Sequence, residues 1–302
     1  MTDKTIKVRV PGTTANCGPG FDSLGIACTI YNELELTLCT ADSLSIEVYG
    51  EGAANIPCDA RNIVWKSVRL LLSRAGIRCR GAHLKMYNNI PLSRGLGSSA
   101  AAIVGGLAAA NVAIGEAFDK QAILEMATEL EGHPDNVAPA IFGGITTSLM
   151  HDAKPETLSF LPGKVLKMVV AVPEFNLATK LARQALPQMV PFENAVFNVS
   201  RTALLVSSLF TGDYSRLQYA LTDCLHQPYR SSLVPGMADV FAAANANGAF
   251  GATLSGAGPC LIAFADNNLA KIGQAMVDAF AKNSIVSKYI ILDIDSQGVT
   301  TL

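Results

Sequence analysis

The sequence has no strong excess of either charge. Its 302 residues include 23 Lys and Arg against 25 Asp and Glu, for a formal net charge of −2, and neither sign forms a long run. This balance argues against nucleic acids and anionic membranes as main partners. Half of the residues are hydrophobic, so the chain can bury a large core, as one large domain or as two closely packed ones.

Cysteine pairs with metal-binding spacing are also missing. The seven cysteines are scattered and no two have the CxxC spacing, which indicates free thiols and a reducing, cytoplasmic environment. The polar N-terminal segment has no apolar signal core. The uncharged segment 95–115 is long enough to cross a bilayer, but it is rich in Gly and Ala. We therefore predict a buried helix there and no membrane span.

The most informative segment is 91–101, which reads PLSRGLGSSAA. Gly95 and Gly97 allow the backbone to turn sharply and to approach a ligand closely. Ser98 and Ser99 stand at the expected start of an Ala-rich helix, and either can cap it. Because free N–H groups and the dipole at a helix start attract phosphate, we predict a phosphate-binding loop in preference to a plain turn. The Lys of a Walker A loop is absent.

Hydrophobic periodicity predicts strands and helices along the whole chain, which favours an α+β architecture. The predicted strands are 6–10, 33–38, 45–48, 82–87, 146–149, 167–172, 249–254, 260–265 and 287–294. The predicted helices follow Asn62 and span 98–114, 119–132, 194–210, 213–226, 236–247 and 268–282. We expect the boundary between two halves near 150–165, where the sequence is polar and contains proline.

Four segments carry a resemblance to a known family. They are 11–22 (PGTTANCGPGFD), 91–101, 131–144 (EGHPDNVAPAIFGG) and 255–259 (SGAGP). Together they resemble the GHMP kinases, and their order and spacing are similar to those of the homoserine kinases. The resemblance implies a two-domain GHMP kinase fold. An N-terminal nucleotide-binding α/β domain with a left-handed βαβ unit would span 1–160, a C-terminal ferredoxin-like domain would span 161–302, and the active site would lie between them.

The same resemblance implies ATP and Mg²⁺ as ligands. Mg²⁺ prefers oxygen ligands, and the family positions are Ser99 and Glu131, with Ser98 and Glu129 as the alternative hydroxyl and carboxylate. Asn62 resembles a position that faces adenine, although an Asn before a helix is equally an N-cap. The predicted nucleotide-binding set is Asn62, Pro91, Leu92, Ser93, Arg94, Gly95, Leu96, Gly97, Ser98, Ser99, Ala100 and Ala101.

The implied acceptor is a small zwitterion, L-homoserine. Its amino group requires a carboxylate, and its carboxylate suits the two-pronged pairing of Arg. By resemblance, Asp22 lies near the amino group and the hydroxyl, while Arg183 and Arg230 bind the substrate. Asn16 and His133 match two further polar contacts with it.

Two carboxylates are candidates for the group that accepts the hydroxyl proton, and a mechanism without such a group is also open. Asp135 lies near the position of the acidic base in mevalonate kinases, and Asp22 is the other candidate. A loose phosphoryl transition state also needs little base assistance. Asp22, Asp135 and Arg183 form the predicted catalytic set, whereas His226 is predicted only to shape the loop that carries Arg230.

Two rival functions follow from the same features. One is a kinase of another small alcohol, mevalonate or a sugar. The other is a non-catalytic ligand sensor on the same fold, which the presence of Ser99 and Glu131 argues against. The expected partners are therefore L-homoserine and ATP, with no nucleic acid and no membrane, and a homodimer is left open.

Overall fold

The computed structural model describes residues 4–302 and contains two β-sheets. The strands of the seven-stranded first sheet are β1 (Thr5–Asn16), β2 (Gly20–Cys39), β3 (Leu44–Gly50), β4 (Gly81–Asn88), β5 (Ile145–His151), β6 (Lys154–Phe160) and β11 (Thr300–Thr301). The strands of the four-stranded second sheet are β7 (Lys167–Pro173), β8 (Gly251–Leu254), β9 (Leu261–Ala265) and β10 (Ser287–Leu292). The helices are α1 (Ile63–Arg74), α2 (Ser98–Ala113), α3 (Lys120–Glu131), α4 (Pro134–Phe142), α5 (Thr179–Gln184), α6 (Phe192–Thr211), α7 (Leu217–Ala220), α8 (Gln227–Arg230), α9 (Met237–Ala246) and α10 (Leu269–Lys282), with a 3₁₀ turn at Ser231–Leu233.

The first sheet is built around the long strand β2. The strand order is β11-β1-β2-β4-β3, and β2 also pairs with β5, which pairs in turn with β6. Among the strand pairs of residues 4–302, only β3 and β4 run parallel, and α1 connects them. This is the βαβ unit that the resemblance implies, while its left-handed crossover stays a prediction.

Small residues allow α2 to lie buried beneath this sheet. A Cβ added at Gly105 would lie 3.3 Å from a methyl group of Val10 in β1, and one at Gly106 would lie 2.7 Å from the Val64 carbonyl oxygen in α1. The Gly and Ala content of the segment 95–115 is therefore explained by close packing between the sheet and α1. The buried helix predicted for this segment is confirmed. In the part of the chain that the structure describes, every helix is too short or too polar to cross a membrane.

The second sheet has the ferredoxin-like arrangement. Its elements follow one another as strand, helices, strand, strand, helix, strand, and all its strand pairs are antiparallel. The spatial order is β10-β7-β9-β8, so the fourth strand lies beside the first and the third beside the second. This confirms the expected ferredoxin-like fold of the second half.

Local features explain where the sequence predictions and the structure differ. The polar segment near residue 150 includes the turn of the β5–β6 hairpin, with positive φ at Asp152 and Ala153. The chain leaves the first sheet only after Phe160, and the division at 160/161 stays a prediction. The helix predicted over 213–226 is limited to α7, because the carboxylate of Asp223 accepts backbone N–H groups and closes a tight turn. The helix α4 was missed because Pro139 lies inside it.

Candidate active site

A cleft of about 370 Å³ brings together segments that are far apart in the sequence. It is lined by the β1–β2 hairpin tip, the segment 91–99, the α3–α4 connection and residues of the second half. The predicted site residues that line it are Asn16, Asp22, Pro91, Leu92, Ser93, Arg94, Gly95, Leu96, Gly97, Ser98, Ser99, Glu131, His133, Asp135, Arg183 and Arg230.

The phosphate end of this cleft is the N-terminus of α2. Gly97 is the N-cap residue, with φ of 67°, and within residues 4–302 no side chain caps this helix. The serines expected as caps, Ser98 and Ser99, are instead the first two helical residues. Because the N–H of Ala101 already bonds to the Gly97 carbonyl, the amides without intrahelical partners are those of residues 98–100. These amides and the helix dipole form an anion site.

The glycines of this loop are required because neighbouring protein atoms leave no room for a Cβ. A Cβ at Gly97 would lie 1.9 Å from Thr13 Oγ1, and one at Gly95 would lie 2.1 Å from the Ser255 carbonyl oxygen. The Thr13 N–H donates to the Leu96 carbonyl oxygen at 3.0 Å. The loop is therefore held between β1 and the 255–259 segment, so its position depends on both halves of the chain.

Two oxygen donors lie together beside the anion site. Ser99 Oγ donates to Glu131 Oε2 at 2.9 Å, and burial raises the pKa of Glu131 although the hydrogen bond from Ser99 opposes it. The alternative carboxylate, Glu129, lies outside the cleft lining and forms an exposed ion pair with Arg74. A hydroxyl and a carboxylate at hydrogen-bond distance suit Mg²⁺, which takes oxygen ligands and keeps several waters.

Asp22 and Arg183 form a two-pronged ion pair at the acceptor end of the cleft. Arg183 Nη2 lies 2.7 Å from Asp22 Oδ1, and Nη1 lies 3.1 Å from Oδ2. Asn16 stabilises this arrangement, because its Oδ1 accepts the Asp22 N–H at 2.9 Å and its Nδ2 donates to the Gly256 carbonyl at 3.0 Å. The two residues expected to bind opposite ends of a zwitterion thus bind each other here.

His133 and Asp135 form a second polar group in the cleft. Asp135 is 1% exposed, and its Oδ1 is hydrogen-bonded to His133 Nδ1. Burial would lower the pKa of His133, but the hydrogen bond and charge of Asp135 outweigh it, and the pKa is raised. Polar atoms of Asp22, His133 and Asp135 lie within 4.8 Å of one another. Asn136, whose Oδ1 accepts from Thr13 Oγ1, was not predicted.

Arg230 is a buried cation without a carboxylate partner in residues 4–302. Its Nε donates to the Ala182 carbonyl at 3.2 Å, and its Nη1 contacts His226 Nδ1 at 3.2 Å and the Gly256 carbonyl at 3.1 Å. Burial, with the charge of Arg183, lowers the pKa of Arg230 to about 10. Phe21, which is not among the predicted site residues, packs its ring against the guanidinium groups of Arg230 and Arg183.

Three predicted nucleotide contacts lie outside the cleft lining. Asn62 is fully buried, and its Oδ1 accepts the Val64 N–H at 2.9 Å, so the structure favours the N-cap over the adenine contact. The side chains of Ala100 and Ala101 face the core. Apart from Leu92, the apolar lining beside the phosphate loop is formed by residues outside the predicted set: Ile56, Pro57, Ile63, Met86 and Ala102. No motif signals them, because they come from separate elements.

Comparison with known proteins agrees with this architecture. Family models described as the GHMP kinases N terminal domain and GHMP kinases C terminal match residues 62–144 and 205–283. The chain belongs to the GHMP kinase family. The expected family membership and fold are therefore confirmed.

Relatives within that family are homoserine kinases. The homoserine kinase of Desulfitobacterium hafniense is 42% identical, over 98% of this chain and 100% of that protein. The homoserine kinase of Moorella thermoacetica is 45% identical, over 92% of this chain and 93% of that protein. The crystal structure of the Cytophaga hutchinsonii homoserine kinase superposes with a TM-score of 0.92 at 32% identity, covering 100% of this chain and 98% of that one. The L. major mevalonate kinase, at 18% identity and a TM-score of 0.69, shares the fold.

Proposed function

We propose that this protein transfers the γ-phosphoryl group of ATP to the side-chain hydroxyl of L-homoserine, with Mg²⁺, as a step toward threonine. One observation carries the proposal. The anion site at the start of α2, with Ser99 beside Glu131, opens into the same cleft as Asp22, Arg183 and Arg230. A phosphate donor and an amino acid would therefore meet between the two sheets. The homoserine kinases among its relatives support the same reading.

The donor end binds and orients the triphosphate. The backbone N–H groups of residues 98–100 bind phosphate oxygens, and the lining beside them offers an apolar surface to the base. Ser99 and Glu131 would hold Mg²⁺, which when bound neutralises charge on the phosphates. The dipole of α2 adds a fixed positive end toward the phosphates.

The acceptor end selects a zwitterion. The substrate amino group replaces Arg183 as the partner of Asp22, and the substrate carboxylate binds the guanidinium groups of Arg183 and Arg230. His133 and Asn16 complete the polar wall around the substrate. Mevalonate and sugars lack the amino group that Asp22 would bind, so the site disfavours both.

We propose that Asp135 orients His133 and does not take the hydroxyl proton. Its Oδ1 already accepts from His133 and from Asn136 Nδ2, and the residue is 1% exposed. Asp22 is the carboxylate with accessible surface, at 36% side-chain exposure, and it orients the acceptor hydroxyl. The proton passes directly to a γ-phosphate oxygen, which a loose transition state permits.

A coupled ADP-release assay tests this function. With ATP and Mg²⁺, L-homoserine should give the highest kcat/KM in a panel with L-serine, mevalonate and galactose. Faster turnover of mevalonate or galactose would refute the acceptor assignment. Tight nucleotide binding without turnover of any panel member would favour the non-catalytic sensor.

We also propose that the enzyme works in the cytoplasm as a homodimer. All seven cysteines are free thiols, which suits a reducing compartment.

The outer face of α6 exposes Phe192 by 84%, Val196 by 52% and Val199 by 71%, and an apolar face of this kind suits contact with a second copy. Light scattering of the wild type and of Val199→Glu measures the oligomeric state, and a monomeric wild type would refute the dimer.

A further inference from the structure

His226 contacts both ends of the acceptor site from a fully buried position. Its Nε2 lies 2.7 Å from the Gly18 carbonyl oxygen, and its Nδ1 lies 3.2 Å from Arg230 Nη1. A guanidinium can only donate, so Nδ1 must accept, and the ring proton must sit on Nε2 and donate to Gly18. The two contacts therefore define one neutral tautomer.

The surroundings of His226 keep this ring in place. Asp223 accepts the backbone N–H groups of His226 at 2.9 Å and Gln227 at 2.6 Å, which fixes the turn before α8. Asp223 Oδ2 also lies 3.5 Å from His226 Nε2, farther than the Gly18 carbonyl. Phe21 packs on the ring, with 5.3 Å between centroids. Burial lowers the pKa of His226, in agreement with a neutral ring.

The hydrogen bonds of Arg230 leave one end of its guanidinium open. Nε and Nη1 donate to the Ala182 carbonyl, His226 and the Gly256 carbonyl. In the part of the chain that is described, Nη2 has no hydrogen-bond partner, and Arg230 lines the cleft. Nη2 is therefore the group that can bind a ligand carboxylate, and its direction depends on the residues that hold Nη1.

We propose that His226 is a positioning residue that holds Arg230 Nη2 toward the carboxylate of the acceptor. The proposal rests on the function proposed above. Through Gly18, whose Cβ would lie 2.3 Å from the Leu221 carbonyl oxygen, the same imidazole ties the β1–β2 hairpin tip to the second half. The Gly18 contact thereby fixes the imidazole so that Nδ1 faces Arg230, whereas Asp22 on the same tip is held independently by Asn16.

Three substitutions separate the two contacts. His226→Leu removes both, His226→Asn keeps an acceptor near the position of Nδ1, and His226→Gln keeps a donor near that of Nε2. We expect His226→Leu to raise the homoserine KM by about ten- to hundredfold, as for loss of a hydrogen bond to a charged group. The kcat and the ATP KM should change by less than about twofold. His226→Asn should recover most of the homoserine KM, and His226→Gln should not.

Two readouts exclude a merely structural role. With 2-aminobutane-1,4-diol, which has a hydroxymethyl group in place of the carboxylate, His226→Leu should leave kcat/KM unchanged. In an Arg230→Met background, His226→Leu should add no further rise in the homoserine KM, because the two residues act as one unit. An unchanged homoserine KM, equal losses for both acceptors, or additive effects would each overturn the proposal. If the wild-type protein does not turn over homoserine, the proposed function itself is wrong. If the wild type does turn it over and the His226 variants behave otherwise than expected, only the positioning role is wrong.

Discussion

Replacement of Arg230 should separate substrate affinity from stability. Arg230 is 2% exposed and lacks a carboxylate partner within residues 4–302, so its guanidinium is a desolvated positive charge. An uncompensated buried charge destabilises a folded protein, and the lowered pKa of Arg230, about 10, has the same origin in burial. A substrate carboxylate would supply the missing counter-ion.

Arg230→Met keeps the volume and removes the charge. Loss of a desolvated charge pair with the substrate costs about 2–5 kcal/mol, so we expect the homoserine KM to rise roughly thirtyfold or more. The ATP KM should stay unchanged, because Arg230 lies at the acceptor end of the cleft. The melting temperature should stay equal or rise, because removal of the buried charge offsets the lost hydrogen bonds to Ala182 and Gly256.

The assay is ADP release with either substrate varied, together with thermal denaturation without ligand. Arg78→Met, at an exposed arginine outside the cleft lining, is the matched control and should change neither quantity. Arg230→Lys should recover only part of the affinity, since an ammonium group cannot reproduce the planar fork. An unchanged homoserine KM in Arg230→Met would refute the reasoning, and so would a lowered melting temperature with equal damage to ATP binding.

Three further substitutions test the rest of the site. Gly97→Val should abolish ATP binding, because its Cβ would lie 1.9 Å from Thr13 Oγ1, whereas Gly115→Val, also at positive φ but with open space around it, should retain it; nucleotide titration of both folded variants decides. Glu131→Ala should lower kcat and weaken the response to Mg²⁺ in a metal titration, and an unaltered Mg²⁺ dependence would contradict its assignment. Arg183→Ala should raise the homoserine KM by roughly three- to tenfold, less than Arg230→Met, because the Arg183 side chain is 38% exposed; an unchanged KM would remove Arg183 from the site.

The sequence predicted best the features that short segments encode. The glycine loop and the start of α2 depend on residue types within one short segment. Ser99 and Glu131 are 32 residues apart, and only the family resemblance brought them together before the structure did. Contacts between distant segments were not predicted. The Asp22–Arg183 pair joins residues 161 positions apart, and neither its existence nor its geometry follows from composition or periodicity. The same holds for the Phe21 ring beside two guanidinium groups.

Local sequence was also ambiguous where one residue type serves two purposes. Asn62 is as suitable for an N-cap as for a contact with adenine, and only its buried position and the hydrogen bond to Val64 decide between them. Asp223 interrupts a helical pattern because its carboxylate can replace the helix as the partner of backbone N–H groups. Tertiary packing decides which of the alternative hydrogen bonds forms, and hydrophobic periodicity carries no information about that packing.

The acceptor end of the cleft contains strained backbone and two charges, and a zwitterion would supply partners for the charges. Asn16, Cys17 and Asp22 adopt positive φ angles of 67°, 44° and 53° in the hairpin tip, a backbone conformation that the surrounding contacts must enforce. Within residues 4–302, Arg230 remains buried without a counter-ion, and the Asp22 carboxylate is paired only with Arg183. A ligand with both an amino group and a carboxylate provides a partner for Asp22 and for Arg230 at once. Binding of each group therefore favours binding of the other. A ligand with only one of the two groups would leave either Asp22 or Arg230 without its ligand partner, and under the proposed function this difference would make the site selective.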